Sequence, residues 1–333
     1  MIAASTMFVL CLMLSIISSI VFSRCLDRIG ARLNFSPNLL GLVAAIGADA
    51  PEITSLASAL AFGHHELGMG VIFGSNIFNL AGLFGLSAVI SGRVVIGRMG
   101  MLLDGIAALA VTSIGAAVVL RAISGWLGLV LLVVVLGVFQ AALAMGVGSK
   151  RYLSFLSRDA KTAVSIAAAQ AERAAREDRT PPKACETDAL AAIPALVSVV
   201  VASYGLVASA VALSERWRLP HIVVGVLILA VLTSIPNMIA AIRLATSGRG
   251  SAVVSESLNS NSINILAGIC VPAIIFGQQS PSHAAMLSVW WLLAMTAFGV
   301  ALACRHGGLS RLGGGLLIAI YLAYLGVILS TGA

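Results

Sequence analysis

Charge is scarce in this chain. Only 10% of its 333 residues are Asp, Glu, Lys or Arg, whereas 59% are hydrophobic and the mean hydropathy is +1.05. A water-soluble domain cannot cover that much apolar surface, so the composition excludes a soluble fold and specifies a polytopic membrane protein. Cysteine is sparse too: Cys11, Cys25, Cys185, Cys270 and Cys304 are scattered, with no CxxC pair and no metal-ligand spacing. That pattern speaks against a zinc module or a disulfide framework and leaves buried apolar thiols. No HExxH, GxSxG or phosphate-cradling glycine loop occurs. An intramembrane protease and an ATP-driven pump therefore lack support, and neither enzyme chemistry nor a cofactor is expected. Basic residues are missing ahead of the first apolar run, while Arg24, Arg28 and Arg32 follow it. A cleavable signal peptide has the reverse asymmetry, so the first span is expected to stay, with its N-terminus outside.

The few charges that are present are placed where they cost most. Asp49 and Glu52 lie in Gly47-Ala48-Asp49-Ala50-Pro51-Glu52, inside a long apolar run. A charge at mid-bilayer depth costs several kcal/mol, so intramembrane acids line cavities and carry function. Pro51 removes a backbone donor and predicts a broken helix at the same place. A broken helix bearing carboxylates is a cation site by expectation.

Windows of about 20 apolar residues give ten spans, near 4–24, 36–62, 66–91, 101–120, 124–148, 189–213, 219–246, 250–277, 284–304 and 310–330. With ten spans, 17 of the 20 basic residues fall on one side and only Arg121, Arg216 and Arg218 on the other. The basic side is expected to be cytoplasmic, with both termini outside, in a plasma (inner) membrane. The net charge of +7 is thus a topology signal, and no nucleic-acid partner is expected. Residues 149–188 form a cytoplasmic linker whose alanine-rich stretch, 160–178, reads as a helix ended by Pro181-Pro182.

A shift of 185 residues superimposes the two halves. Pro51 falls on Pro236, Glu52 on Asn237 and Gly63 on Gly248. Ser75, Asn76 and Asn79 fall on Ser260, Asn261 and Asn264. Five spans per half is odd, so the second half sits upside down: an all-α membrane protein of two inverted-topology repeats, with broken or tilted helices around a midplane site. The domains read as 1–148 (repeat segment about 36–91), linker 149–188, and 189–333 (repeat segment about 219–277). Ser75 and Asn79 share a helix face, as do Ser260 and Asn264. Such faces serve equally as glue between membrane helices; jointly with the acids they form an oxygen-rich cage of the kind calcium prefers. His64-His65-Glu66, in an outer loop, reads as a solvated turn or a metal vestibule.

Pro51-Glu52-Ile53-Thr54-Ser55 followed by Gly74-Ser75-Asn76-Ile77-Phe78-Asn79 resembles the first alpha-repeat of the calcium/cation antiporter superfamily, which includes the sodium/calcium exchangers. Thr233-Ser234-Ile235-Pro236-Asn237 is similar to its second repeat, and residues 252–272 to the helix that follows. The resemblance implies that Glu52 ligates the cation with Ser75 and Asn79, and that Thr233, Ser234, Ser260 and Asn264 complete the cage. Asn237 takes the place of the second acidic ligand, and Asn264 stands where some members have Asp. Asp49 stands where the family usually has a serine. One carboxylate is lost from the second half and one gained in the first, leaving two. Glu256, one turn before Ser260, is a further candidate. The implied activity is secondary antiport of Ca²⁺ against Na⁺ or H⁺, with inorganic cations and the lipid bilayer as partners. A cation channel and a non-transporting cation sensor are the alternatives.

Overall fold

The computed structural model describes residues 2–33, 45–95, 98–148 and 187–331. The expected linker helix at 160–178 lies outside the described residues. In chain order the helices are α1 (Ile2–Arg32), α2 (Ala50–Ala61), α3 (His65–Ser91), α4 (Arg98–Val119), α5 (Gly125–Gly148), α6 (Thr187–Trp217), α7 (His221–Thr246), α8 (250–275), α9 (His283–His306) and α10 (Arg311–Thr331). Among the described residues, α1, α3, α4, α6, α7, α8, α9 and α10 are long and apolar enough to cross a bilayer.

The structure is mostly helical, and two three-residue strands are the exception among the described residues. β1 (Arg93–Val95) pairs antiparallel with β2 (Gly308–Ser310), in the register Arg93↔Ser310 and Val95↔Gly308. The ribbon lets two connecting segments satisfy each other's backbone groups where neither is helical. Gly250, at the start of α8, packs against the backbone of Val95.

α3 is the axis of the molecule and is almost wholly buried. It touches α2, α7, α8, α9 and α10. Its crossing with α7 depends on glycine: a Cβ on Gly70 would sit 2.5 Å from the Ile222 carbonyl, and one on Gly74 would sit 2.7 Å from Ala230 Cβ. Small residues let membrane helices approach backbone to backbone where no hydrophobic force draws them together. α1 packs along α6, and both turn apolar side chains such as Leu10, Ile17, Ile193 and Val201 outward. In a protein of this composition those faces meet lipid.

Segments matched by the 185-residue shift share backbone detail. α2 and α7 both end in a left-handed glycine, Gly63 (φ 80°) and Gly248 (φ 79°), a conformation that costs glycine nothing. α3 and α8 both widen into π-helical turns just past the Asn motif, at Asn79–Leu86 and Leu266–Cys270. Such turns are concentrated at functional sites.

The expected helix breaks are realised in one copy only. Asp49 leaves the helical region (φ −88°, ψ 2°) and α2 starts at Ala50 with Pro51 in its first turn. α7 runs unbroken through Pro236. The local sequences explain the difference. Gly47, four residues before Pro51, has Leu232 as its counterpart, and glycine resists a distorted backbone far less. Pro51 also lacks the amide that would bond the Gly47 carbonyl, and Ser19 Oγ of α1 donates to that oxygen at 2.9 Å instead.

Candidate cation site

Asp49 and Glu52 sit one turn apart at the start of α2, each 1% exposed. Both carboxylates reach across to α7. Asn237 Nδ2 donates to Asp49 Oδ1 at 3.0 Å, and Ser234 Oγ donates to Glu52 Oε1 at 2.9 Å. The two contacts are the same contact made twice, because Ser234 is the counterpart of Asp49, and Asn237 of Glu52, under the 185-residue shift. Ser260 Oγ of α8 gives Asp49 Oδ1 a second hydrogen bond at 2.7 Å.

α3 and α8 add a second reciprocal set at mid-length. Asn79 Nδ2 donates to Ser260 Oγ (2.9 Å) and Asn261 Oδ1 (3.0 Å). Its counterpart, Asn264 Nδ2, donates to Ser75 Oγ (3.5 Å) and Asn76 Oδ1 (3.2 Å). In both sets the partner's number falls as the residue's number rises, so the facing segments run antiparallel. Such self-complementary contacts are the signature of two-fold symmetry.

Most donors in this group are spent, Asn76 Nδ2 being a buried exception, and several acceptors are not. Asp49 Oδ2, Glu52 Oε2, Asn79 Oδ1 and Asn264 Oδ1 are all buried with no hydrogen-bond partner. Buried oxygens in native proteins are almost always satisfied, and leaving one bare costs about 1–3 kcal/mol. Four bare acceptors in one hydrogen-bonded group suit a cation, and oxygen donors of this kind suit a hard one. The transported ion would be substrate here, not a resident cofactor.

The structure therefore brings together Asp49, Glu52, Ser75, Asn79, Ser234, Asn237, Ser260 and Asn264. Thr233 is buried on the same turn as Ser234, its hydroxyl donating back to the Leu229 carbonyl at 2.9 Å. Glu256 is only half-buried, although its charge reaches Asp49. Sequence reasoning passed over Asn76 and Asn261, which cross-link the two helices; Asn261 Nδ2 also donates to the Asn76 carbonyl at 3.1 Å. Their match under the 185-residue shift was the available signal. His64 packs edge-on against His221 with ring centroids 4.9 Å apart. No group of three or more His, Cys, Asp or Glu able to hold a metal occurs among the described residues.

Known proteins resemble this chain in sequence or in fold. Over 96% of its length the chain is 27% identical to the putative antiporter CaxA of Alkalimonas amylolytica, covering 97% of that protein. It is 28% identical over 142 residues to the sodium/potassium/calcium exchanger Nckx30C of Drosophila melanogaster, a stretch that is 16% of that longer protein. Its fold is similar to that of the sodium-calcium exchanger NCX_Mj, with a TM-score of 0.62, 20% identity and 98% of each chain covered. YfkE gives a TM-score of 0.61 at 15% identity, over 99% of this chain and 92% of its own. The sodium/calcium exchanger protein family matches residues 3–144 and again 189–330. With both halves matched, the chain belongs to the sodium/calcium exchanger protein family.

Proposed function

We propose that this protein is a secondary antiporter that moves Ca²⁺ across a membrane against Na⁺ or H⁺, by alternating access to the buried site. The observation that carries the proposal is the set of four bare oxygens on Asp49, Glu52, Asn79 and Asn264. Asp49 and Glu52 supply the charge. Ser75, Thr233, Ser234, Asn237 and Ser260 supply neutral oxygens or hold the acids in place, and Glu256 acts from the margin. No bond is made or broken in such a cycle, so the protein is not an enzyme. Two cation loads compete for the same oxygens, and that competition couples their movements.

The architecture we propose is ten transmembrane helices in two inverted repeats, 1–148 and 189–333, joined by the linker 149–188. The antiparallel pairing of equivalent segments and the matched glycines support it. The basic-residue asymmetry supports a cytoplasmic linker and outer termini in the plasma (inner) membrane. The polar bonds that tie the α1–α6 pair to the core include Ser19 to Gly47 at 2.9 Å and Thr54 to Ser203 at 2.7 Å. A pair held this way suits rigid-body rocking or sliding about a fixed site.

The test is labelled calcium uptake into proteoliposomes under an imposed sodium gradient, then an imposed pH gradient. Uptake driven by one of them is expected. Flux that ignores both gradients would identify a channel, and binding without flux a sensor.

A further inference from the structure

We propose that Glu256 is a relay ligand: at the end of the bundle where α8 begins, it takes the divalent cation while that ion is still partly hydrated and passes it to Asp49. The proposal rests on the antiporter function above and deepens it, by giving one approach to the site its own residue.

Glu256 differs from the two cage acids in exposure. Asp49 and Glu52 are each 1% exposed, whereas Glu256 is half-buried, with its Oε2 enclosed and without a hydrogen bond. Its charge nevertheless acts on Asp49, as that of Glu52 does. A carboxylate that is partly accessible and also acts on a buried one stands between the bulk and the cage.

Its place along α8 agrees. The helix starts at Gly250, and at 1.5 Å per residue Glu256 lies about 9 Å from that start, with Ser260 about 6 Å deeper. Residues 256 and 260 share a helix face. Ser260 Oγ donates to Asp49 Oδ1 at 2.7 Å, and Ser257 Oγ donates to the Asn79 carbonyl at 3.2 Å. These two bonds fix the rotation of α8 next to Glu256. Under the 185-residue shift its counterpart is Val71 of α3, which is fully buried in an apolar cluster with Leu67 and Leu229. One approach to the cage thus carries an acid and the matching one a valine.

An accessible acid ahead of a buried site concentrates cations and raises their entry rate by about 10-fold or more. It lowers the barrier for exit as well, so it acts on rates at one face more than on the affinity of the cage.

The test is calcium exchange in proteoliposomes of fixed orientation, with KM and maximal rate measured at each face, and isothermal titration of calcium in detergent. Glu256→Gln is expected to raise KM about 10-fold at the face where α8 begins and to lower the maximal rate in the reverse direction, where release limits. Calcium affinity at equilibrium should fall by less than KM rises. An equal rise in KM at both faces, matched by the loss in affinity, would make Glu256 a ligand of the cage and overturn the relay. Unchanged kinetics would overturn it too. Glu256→Asp keeps the charge and shortens the reach, and gives the same comparison if the amide variant does not fold. A KM rise confined to that face is again expected, and an equal rise at both faces again overturns the relay. Wild-type protein that ignores both sodium and pH gradients is a different failure, which removes the antiporter function and the relay with it.

Discussion

Asn237 Nδ2 donates to Asp49 Oδ1 across 3.0 Å, joining the two positions at which this chain departs from the motifs it resembles. In the resemblance drawn from the motifs, an acid belongs at 237 and a small hydroxyl residue at 49. Here the acid is at 49 and the amide at 237, and the two side chains touch. The carboxylate of Asp49 thus lies beside the position at which that resemblance puts an acid.

Glu52→Gln keeps the shape of the side chain and its hydrogen bond from Ser234 while removing the charge. Breaking a buried charge pair costs about 3–5 kcal/mol, so calcium affinity is expected to fall by about 100-fold or more. Without bound ion the variant should melt no lower than wild type, since a buried charge has gone. Isothermal titration and calcium uptake measure the first expectation, thermal melting the second. Normal transport by this variant would place the site elsewhere.

Transposing the acid back is the sharper test of the Asp49–Asn237 contact. Asp49→Ser alone should abolish uptake. Asp49→Ser combined with Asn237→Asp restores two carboxylates and should recover measurable uptake, with a coupling between the two changes of about 1–3 kcal/mol. Strictly additive losses in calcium affinity would show that the two positions act independently.

The amide cross-link between α3 and α8 should contribute to stability. Asn261 accepts from Asn79 Nδ2 and donates to the Asn76 carbonyl. Hydrogen bonds between membrane helices contribute about 0.6 kcal/mol on average and up to about 1.7. A double-mutant cycle of Asn79→Ala and Asn261→Ala, read by unfolding in detergent, is expected to give a coupling in that range. A coupling of zero would mean the two amides do not share a bond.

Glycines 70 and 315 should respond oppositely to a methyl group. At Gly70 the new Cβ would lie 2.5 Å from the Ile222 carbonyl and 3.1 Å from Gly225 Cα. Overpacking of this kind costs about 1–3 kcal/mol. At Gly315 nothing lies within 4 Å of the new atom, and alanine inside a helix is favoured over glycine by about 0.5–1 kcal/mol. Melting temperatures of Gly70→Ala and Gly315→Ala should therefore move down and up respectively. Equal shifts would contradict the close α3–α7 crossing.

The sequence by itself determined the membrane setting, the intramembrane acids, the 185-residue repeat and the oxygen-bearing faces of Ser75, Asn79, Ser260 and Asn264. These are properties of composition, of helical periodicity and of residue matches at a fixed offset, which are written along the chain. The tertiary structure decided which oxygen faces which. Ser234 and Glu52 are 182 residues apart, Asn237 and Asp49 188, and Ser260 and Asp49 211. Contacts at such separations depend on how close α3 and α7 approach at Gly70 and on how Gly47 lets the chain bend at Asp49. No local pattern encodes either. For the same reason the sequence predicted two broken helices where the fold has one, and missed Asn76 and Asn261. A side chain's role in a crossing is fixed by the helix it meets, and only packing supplies that helix.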